Sequence, residues 1–109
     1  MLEPILTAKN AERVLVFICV REQGYTREIA KFYGVDPDSI QKQLMKFQMG
    51  GVLTSKSEGR TKIYRFSPRY PFRKELEALL TKAISFYPPE EQERLLMVRR
   101  RPRREGKPL

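Results

Sequence analysis

There is no histidine in this chain of 109 residues, and only one cysteine, Cys19. Histidine is the side chain whose ordinary pKa lies nearest neutrality, so general acid–base chemistry at pH 7 lacks its usual carrier. A single cysteine cannot form an intrachain disulfide, and a Cys/His metal site lacks its ligands. Cys19 sits in an apolar run and reads as an inert core thiol. Carboxylates are scarce, 13 Asp+Glu against 22 Lys+Arg, and they lie scattered among the cations with no motif that pairs them. No glycine-rich phosphate loop is present. These absences argue against an enzyme and imply no metal and no cofactor. A long hydrophobic run is missing as well. Residues 15–20 are apolar but far short of the ~20 needed to span a bilayer. The N-terminus has neither the charged leader nor the cleavage pattern of a secretory signal. The expectation is a cytoplasmic protein in a reducing compartment, with no membrane partner.

What is present is positive charge. The formal net charge is +9, which favours a polyanionic partner, most simply nucleic acid. Hydrophobic residues make up 40% of the chain, enough for one modest core and one domain. The charge is uneven. Residues 98–109 hold Arg99, Arg100, Arg101, Arg103, Arg104 and Lys107 against Glu105, a net +5. The chain therefore divides into a folded unit, 1–97, and an Arg-rich tail, 98–109, that is expected to be disordered. Such a tail can be an arm along DNA, an RNA-binding segment or a solubility device. It should raise affinity and salt sensitivity without selecting a sequence.

The order of elements is the most informative feature. Leu2, Ile5 and Leu6 precede a helix expected over about 9–22. Its β-branched middle would read as a strand in isolation, but it follows Asn10, Glu12 and Arg13 without a turn signal. Gln23-Gly24 ends it. Thr26 to Lys31 reads as a short supporting helix, Tyr33-Gly34-Val35 as a turn. A second helix follows through Met49, with Asp36 as a capping side chain and Pro37 at the first helical position. Ile40, Leu44 and Phe47 form its core face. Gly50 and Gly51 allow the positive φ that ends helices. Residues 52–56 and 61–66 read as two strands joined by Ser57-Glu58-Gly59-Arg60, with Ile63, Tyr64 and Phe66 favouring strand and Arg65 pointing opposite Tyr64 and Phe66. A long amphipathic helix over 72–87 places Phe72, Leu76, Leu79, Leu80, Ala83, Ile84 and Tyr87 on one stripe. After Pro88-Pro89 a last short helix can carry Leu95, Leu96 and Val98. The predicted class is mainly α with a small β-hairpin: a winged helix-turn-helix with a C-terminal helix and a basic tail.

That arrangement sets a helix where it can enter a DNA major groove, with a basic hairpin beside it. On a helical wheel the face opposite Ile40, Leu44 and Phe47 holds Asp38, Ser39, Lys42, Met45 and Lys46, with Gln41 and Gln43 on the flanks. Lys42 and Lys46 suit guanine O6/N7 or phosphate, and Gln41 or Gln43 suits adenine. A solvated polar face is the plain alternative. Asp38 either accepts from a cytosine amine or only favours the helix dipole. Met45 either packs on the wing or touches a thymine methyl. Lys56, Arg60 and Lys62 are expected together at the hairpin tip, as phosphate contacts or as charges that discourage sheet aggregation. Thr26 and Arg27 open the supporting helix, whose N–H groups can hold a phosphate; Thr26 can equally be a helix cap. The stripe over 72–87 is core or, with Leu2, Ile5 and Leu6, the seam of a homodimer that would match a palindromic site.

Residues 35–53, with Ser39 as the short polar position, Ile40 and Leu44 as the aliphatics and Gly51 before the strand, resemble the recognition helix and first wing strand of ArsR-like winged-helix repressors. Residues 59–66 look like that family's second wing strand. The resemblance covers about 9–87. It implies that Ser39, Gln41, Lys42, Gln43 and Lys46 face double-stranded DNA, with Arg60 and Lys62 on the wing. The Cys and His ligands of the metal-sensing members are absent, which argues against metal-controlled repression. The stretch 60–80, with Tyr70-Pro71-Phe72, also looks like winged-helix modules joined to small nucleotidyltransferase domains. Too few residues follow to hold such an enzyme, leaving a separate protein partner as an open reading. The function expected is sequence-specific DNA binding by a transcriptional regulator. The alternatives are an antitoxin-like or adaptor subunit that holds a protein, or RNA binding through the tail.

Overall fold

A computed structural model describes residues 1–96. The elements follow in the order α1 (Glu3–Leu6), α2 (Lys9–Arg21), α3 (Thr26–Tyr33), α4 (Pro37–Met49), β1 (Leu53–Glu58), β2 (Thr61–Phe66) and α5 (Arg73–Ile84). A further helix, α6, covers 89–96. The mainly helical fold with one antiparallel hairpin is the winged helix-turn-helix that the sequence predicts. The Arg-rich segment, with Arg99, Arg100, Arg101, Arg103 and Arg104, lies outside the described residues, as does Val98.

The apolar run of α2 is a helix because it is central. Ala11 and Val14 through Ile18 are all buried, and α2 packs on α1, α3, α4, α5 and β2. A helix surrounded on most sides has no polar stripe to reveal its period, which is why the run looks strand-like in isolation. Burying side chains such as Leu15, Phe17 and Ile18 contributes roughly 1.5–3 kcal/mol each. The helix ends one residue earlier than expected. Glu22, not a glycine, takes the left-handed capping conformation at φ 75°, its N–H reaching Ile18 O at 2.7 Å. Gly24 serves another purpose: it forms an isolated antiparallel bridge with Tyr64.

Between α3 and α4 the chain turns through Gly34 at φ 66°, and the Val35 N–H donates to Ala30 O at 3.0 Å. Two capping expectations need correction. Asp36 occupies the N-cap position of α4, but its side chain makes no capping hydrogen bond. Ser39 Oγ instead donates to the Asp36 carbonyl at 2.8 Å. Thr26 is not a cap either; the N-cap of α3 is Tyr25. The core face of α4 is as predicted, with Ile40 and Leu44 buried and Phe47 packed against them.

The hairpin is longer and tighter than the sequence suggested. Strand pairing runs from Leu53↔Phe66 to Glu58↔Thr61, leaving only Gly59 and Arg60 as the turn, with Gly59 at φ 65°. A positive φ at the first of two turn residues matches the right-handed strand twist. Gly51 alone of the pair Gly50-Gly51 has positive φ. Gln48 Nε2 donates to Ser55 Oγ at 3.0 Å, tying the end of α4 to β1.

The predicted stripe of α5 divides in two. Leu80 and Ala83 are buried, and Leu76, Ile84 and Tyr87 pack against the core. Phe72 and Leu79 stay 62% and 38% exposed, and Phe86, which lies beyond the helix end, is 63% exposed. The expected grouping of Leu2 with Ile5 and Leu6 also breaks up: Leu2 is a core residue, Leu6 packs partly against the core and Ile5 is exposed. Glu12 anchors this end of the molecule. It is 5% exposed and accepts from Leu2 N at 2.7 Å and from the Tyr87 hydroxyl. Burial pushes its carboxyl up, but the hydrogen bonds from Tyr87, Leu2 and the Met1 ammonium outweigh that and hold it below the ordinary value.

Beside it, α6 is fastened to α3. The Arg94 guanidinium lies 4.1 Å from the Phe32 ring centroid. Arg21 stacks on Phe17 at 4.5 Å and donates to Leu95 O at 2.9 Å.

Candidate nucleic-acid interface

After Pro37, the exposed residues of α4 are Asp38, Lys42, Met45, Lys46 and Met49 along its length, a single stripe at helical spacing, with Gln48 beside it. Lys42 and Lys46 are therefore available to a ligand, as the sequence predicts. Met45 is 48% exposed and Met49 85% exposed. The Lys46 ammonium lies 5.8 Å from the Phe47 ring.

The other predicted positions on α4 are turned elsewhere. Ser39 is half-buried and its hydroxyl is bound to the Asp36 carbonyl. Gln43 is half-buried, and its amide oxygen is sealed from solvent with no hydrogen-bond partner among the described residues. Gln41 accepts a hydrogen bond from the Thr26 hydroxyl. A bidentate pairing with adenine needs the amide oxygen as acceptor and the amide nitrogen as donor. Thr26 already uses one lone pair of that oxygen, so it fixes the amide and weights it toward donation.

Folding brings several predicted residues to one place. Thr26 and Arg27 from the start of α3, Gln41 from α4, and Arg60 and Lys62 from the wing line a groove of about 550 Å³, together with Tyr25 and Thr61. The groove is closed by two geometric facts. Gly24 N donates to Tyr64 O at 3.0 Å and Tyr64 N to Gly24 O at 2.8 Å, so the residues just before α3 are stitched to β2. The Thr26–Gln41 contact then fixes α3 against α4. Among the described residues three cations line it and no carboxylate does. The nearby Glu28 is half-buried and accepts from the Tyr25 N–H at 3.4 Å; burial pushes its carboxyl above the ordinary value against the pull of that bond.

Lys56 does not belong to this group. The register pairs Ser57 with Lys62 and Lys56 with Ile63, and successive strand residues point to opposite faces. Lys56 is thus on the other face of the hairpin from Lys62, in a cleft lined also by Arg65 and Arg69. Neither arginine was singled out from sequence, although the alternation that turned Arg65 away from Tyr64 and Phe66 was the available signal.

Cys19 is half-buried, with its sulfur 3.9 Å from Thr81 Oγ1. Burial pushes the thiol up, which keeps it in the unreactive protonated form.

No protein-family model and no curated protein matches this chain. Solved structures do. Reduced HlyU from Vibrio cholerae superposes with a TM-score of 0.59 at 15% identity, over 79% of this chain and 84% of that one. A transcriptional regulator of the MarR family from Silicibacter pomeroyi gives 0.58 at 13% identity, over 95% and 76%. The apo form of a Lactococcus lactis ZitR mutant gives 0.54 at 17% identity, over 90% and 83%. At such identities the likeness establishes a shared winged-helix fold. It does not single out the ArsR-like group among the families that share this architecture.

Proposed function

We propose that this protein is a transcriptional regulator that binds double-stranded DNA sequence-specifically. The observation that carries the reading is the convergence of Thr26, Arg27, Gln41, Arg60 and Lys62, from three separate elements, around one acid-free groove beside the exposed Lys42 and Lys46. In this reading α4 enters the major groove and Lys42 reads base edges, with Lys46 at a base or phosphate. The N–H groups opening α3, with Arg27, hold a phosphate, and Arg60 and Lys62 neutralise the backbone beside the wing. Gln41 contributes as a donor, Ser39 as part of the helix start. The mechanism is occlusion or adjustment of a promoter site in a cytoplasmic setting, with no cofactor and no catalytic step.

A homodimer fits this role. Leu79 of α5 is exposed, as are Phe72 and Phe86 just outside the two ends of that helix. Two copies joined there would present two recognition helices to a palindrome. The same face supports a second reading, an adaptor that holds a different protein.

The test is selection of binding sequences from a random duplex pool with purified protein at physiological salt. Enrichment of a palindrome or half-site is the expected result. Uniform, salt-sensitive binding with no motif would overturn sequence-specific regulation in favour of the adaptor.

A further inference from the structure

The hairpin carries a second basic cleft on the face turned away from the groove of α3. Lys56 from β1, Arg65 from β2 and Arg69 from the following loop line it, with Thr54 and Ser67, around a volume of about 610 Å³. All three cations are exposed. None is in an ion pair among the described residues, and no carboxylate lines the cleft. The strand register sets Thr54 opposite Arg65 and Lys56 opposite Ile63, so the period of two puts Lys56 and Arg65 on one face.

The arginines are steadied in place. Arg65 Nη2 donates to Gln23 Oε1 at 3.1 Å, which holds one edge of the guanidinium; Arg65 also lines a neighbouring cleft with Glu22, Arg73 and Glu77. The Arg69 N–H donates to Ser67 Oγ at 3.2 Å, tightening the loop that presents it. Protection of a sheet edge accounts for a lysine on β1. It does not account for two arginines on β2 and beyond, because the far side of β2 is already bridged by Gly24. Planar guanidinium forks suit phosphate oxygens.

We infer that this cleft binds the phosphate backbone of duplex DNA, so that the wing is flanked by two backbone tracks, Arg60 and Lys62 on one face and Lys56, Arg65 and Arg69 on the other. The inference rests on the DNA-binding reading above. Ser55, which also lines the cleft, ties its strand to α4 through Gln48 on the face that β1 turns away from Lys56.

The experiment measures binding of the full chain to a duplex at several salt concentrations. The parent is compared with the double variant Arg65→Gln, Arg69→Gln and with its charge-keeping counterpart Arg65→Lys, Arg69→Lys. Each phosphate neutralised adds about 0.9 to the slope of log affinity against log salt. The glutamine pair should lower the slope by about two while enriching the same sequence motif, and the lysine pair should retain the parental slope. An unchanged slope in the glutamine pair, with the parent binding normally, overturns the cleft and leaves the DNA reading standing. Equal losses in both pairs overturn it in favour of a structural role. A parent that binds no duplex overturns both readings together.

Discussion

Gly24 and Tyr64 exchange both of their backbone hydrogen bonds, at 3.0 and 2.8 Å, and this bridge sets where the wing stands relative to the helix-turn-helix. The position requires glycine for space. A Cβ at Gly24 would lie 3.0 Å from two atoms of the Phe17 ring and 3.1 Å from Ile29 Cδ1. The ring has little room to yield, because Arg21 stacks on it and Phe32 packs edge-on at a centroid distance of 5.5 Å. Gly24→Ala should therefore destabilise the fold by about 1–3 kcal/mol, the usual cost of overpacking a filled site. The shift of the urea midpoint measures it, and a neutral result would mean that the α2–α3 connection moves freely.

Glu12 should make stability depend on acid. Its folded pKa is held below the ordinary value, so the carboxylate stabilises fully above the unfolded carboxylate pKa of about 4.3. That contribution is lost as the pH falls through the lower folded value. Glu12→Gln should cost about 1–3 kcal/mol at neutral pH, because Leu2 N and the Tyr87 hydroxyl lose a charged acceptor. Denaturation curves of parent and variant should stay a fixed distance apart above about pH 5 and converge below about pH 4. A constant gap down to low pH would show that charge is not what Glu12 supplies.

Lys42→Ala should weaken binding to a selected DNA site by about 1–3 kcal/mol and relax discrimination there. Lys42 is exposed on α4 with no competing partner among the described residues, so fold stability should change little. Anisotropy titrations on the selected duplex and on scrambled duplexes separate the roles. Equal weakening on every sequence would make Lys42 a phosphate contact.

The double variant Leu79→Glu, Phe86→Glu should leave the fold intact, since both side chains are exposed, and should shift the proposed homodimer to monomer. Sedimentation at low micromolar concentration reads the mass directly. Loss of a palindromic preference in the monomer, with half-site binding retained, would tie the apolar face to DNA recognition. A variant with the mass of the parent would remove this face from self-association.

The sequence by itself determined the winged-helix class, the places of α2, α3 and α4, and the inward face of α4. The signals were local: Pro37 opening a helix, Gly34 and Gly51 at positive φ, and the spacing of Ile40, Leu44 and Phe47. It also placed Lys42 and Lys46 outward, because helical period alone decides that.

What only the tertiary structure decided were relationships between elements far apart in the chain. Lys56 parts from Lys62 because strand register, not distance along the chain, sets the face. Arg65 and Arg69 become a cleft only when β2 and its following loop are folded. Gln41 is committed to Thr26 and the Gln43 amide oxygen is buried because α3 and the core claim them. The stripe of α5 splits because one neighbouring helix covers only part of a broad apolar surface. A linear pattern records which residues are apolar or charged; which of them meet is fixed by packing, where one side chain can occupy only one set of contacts.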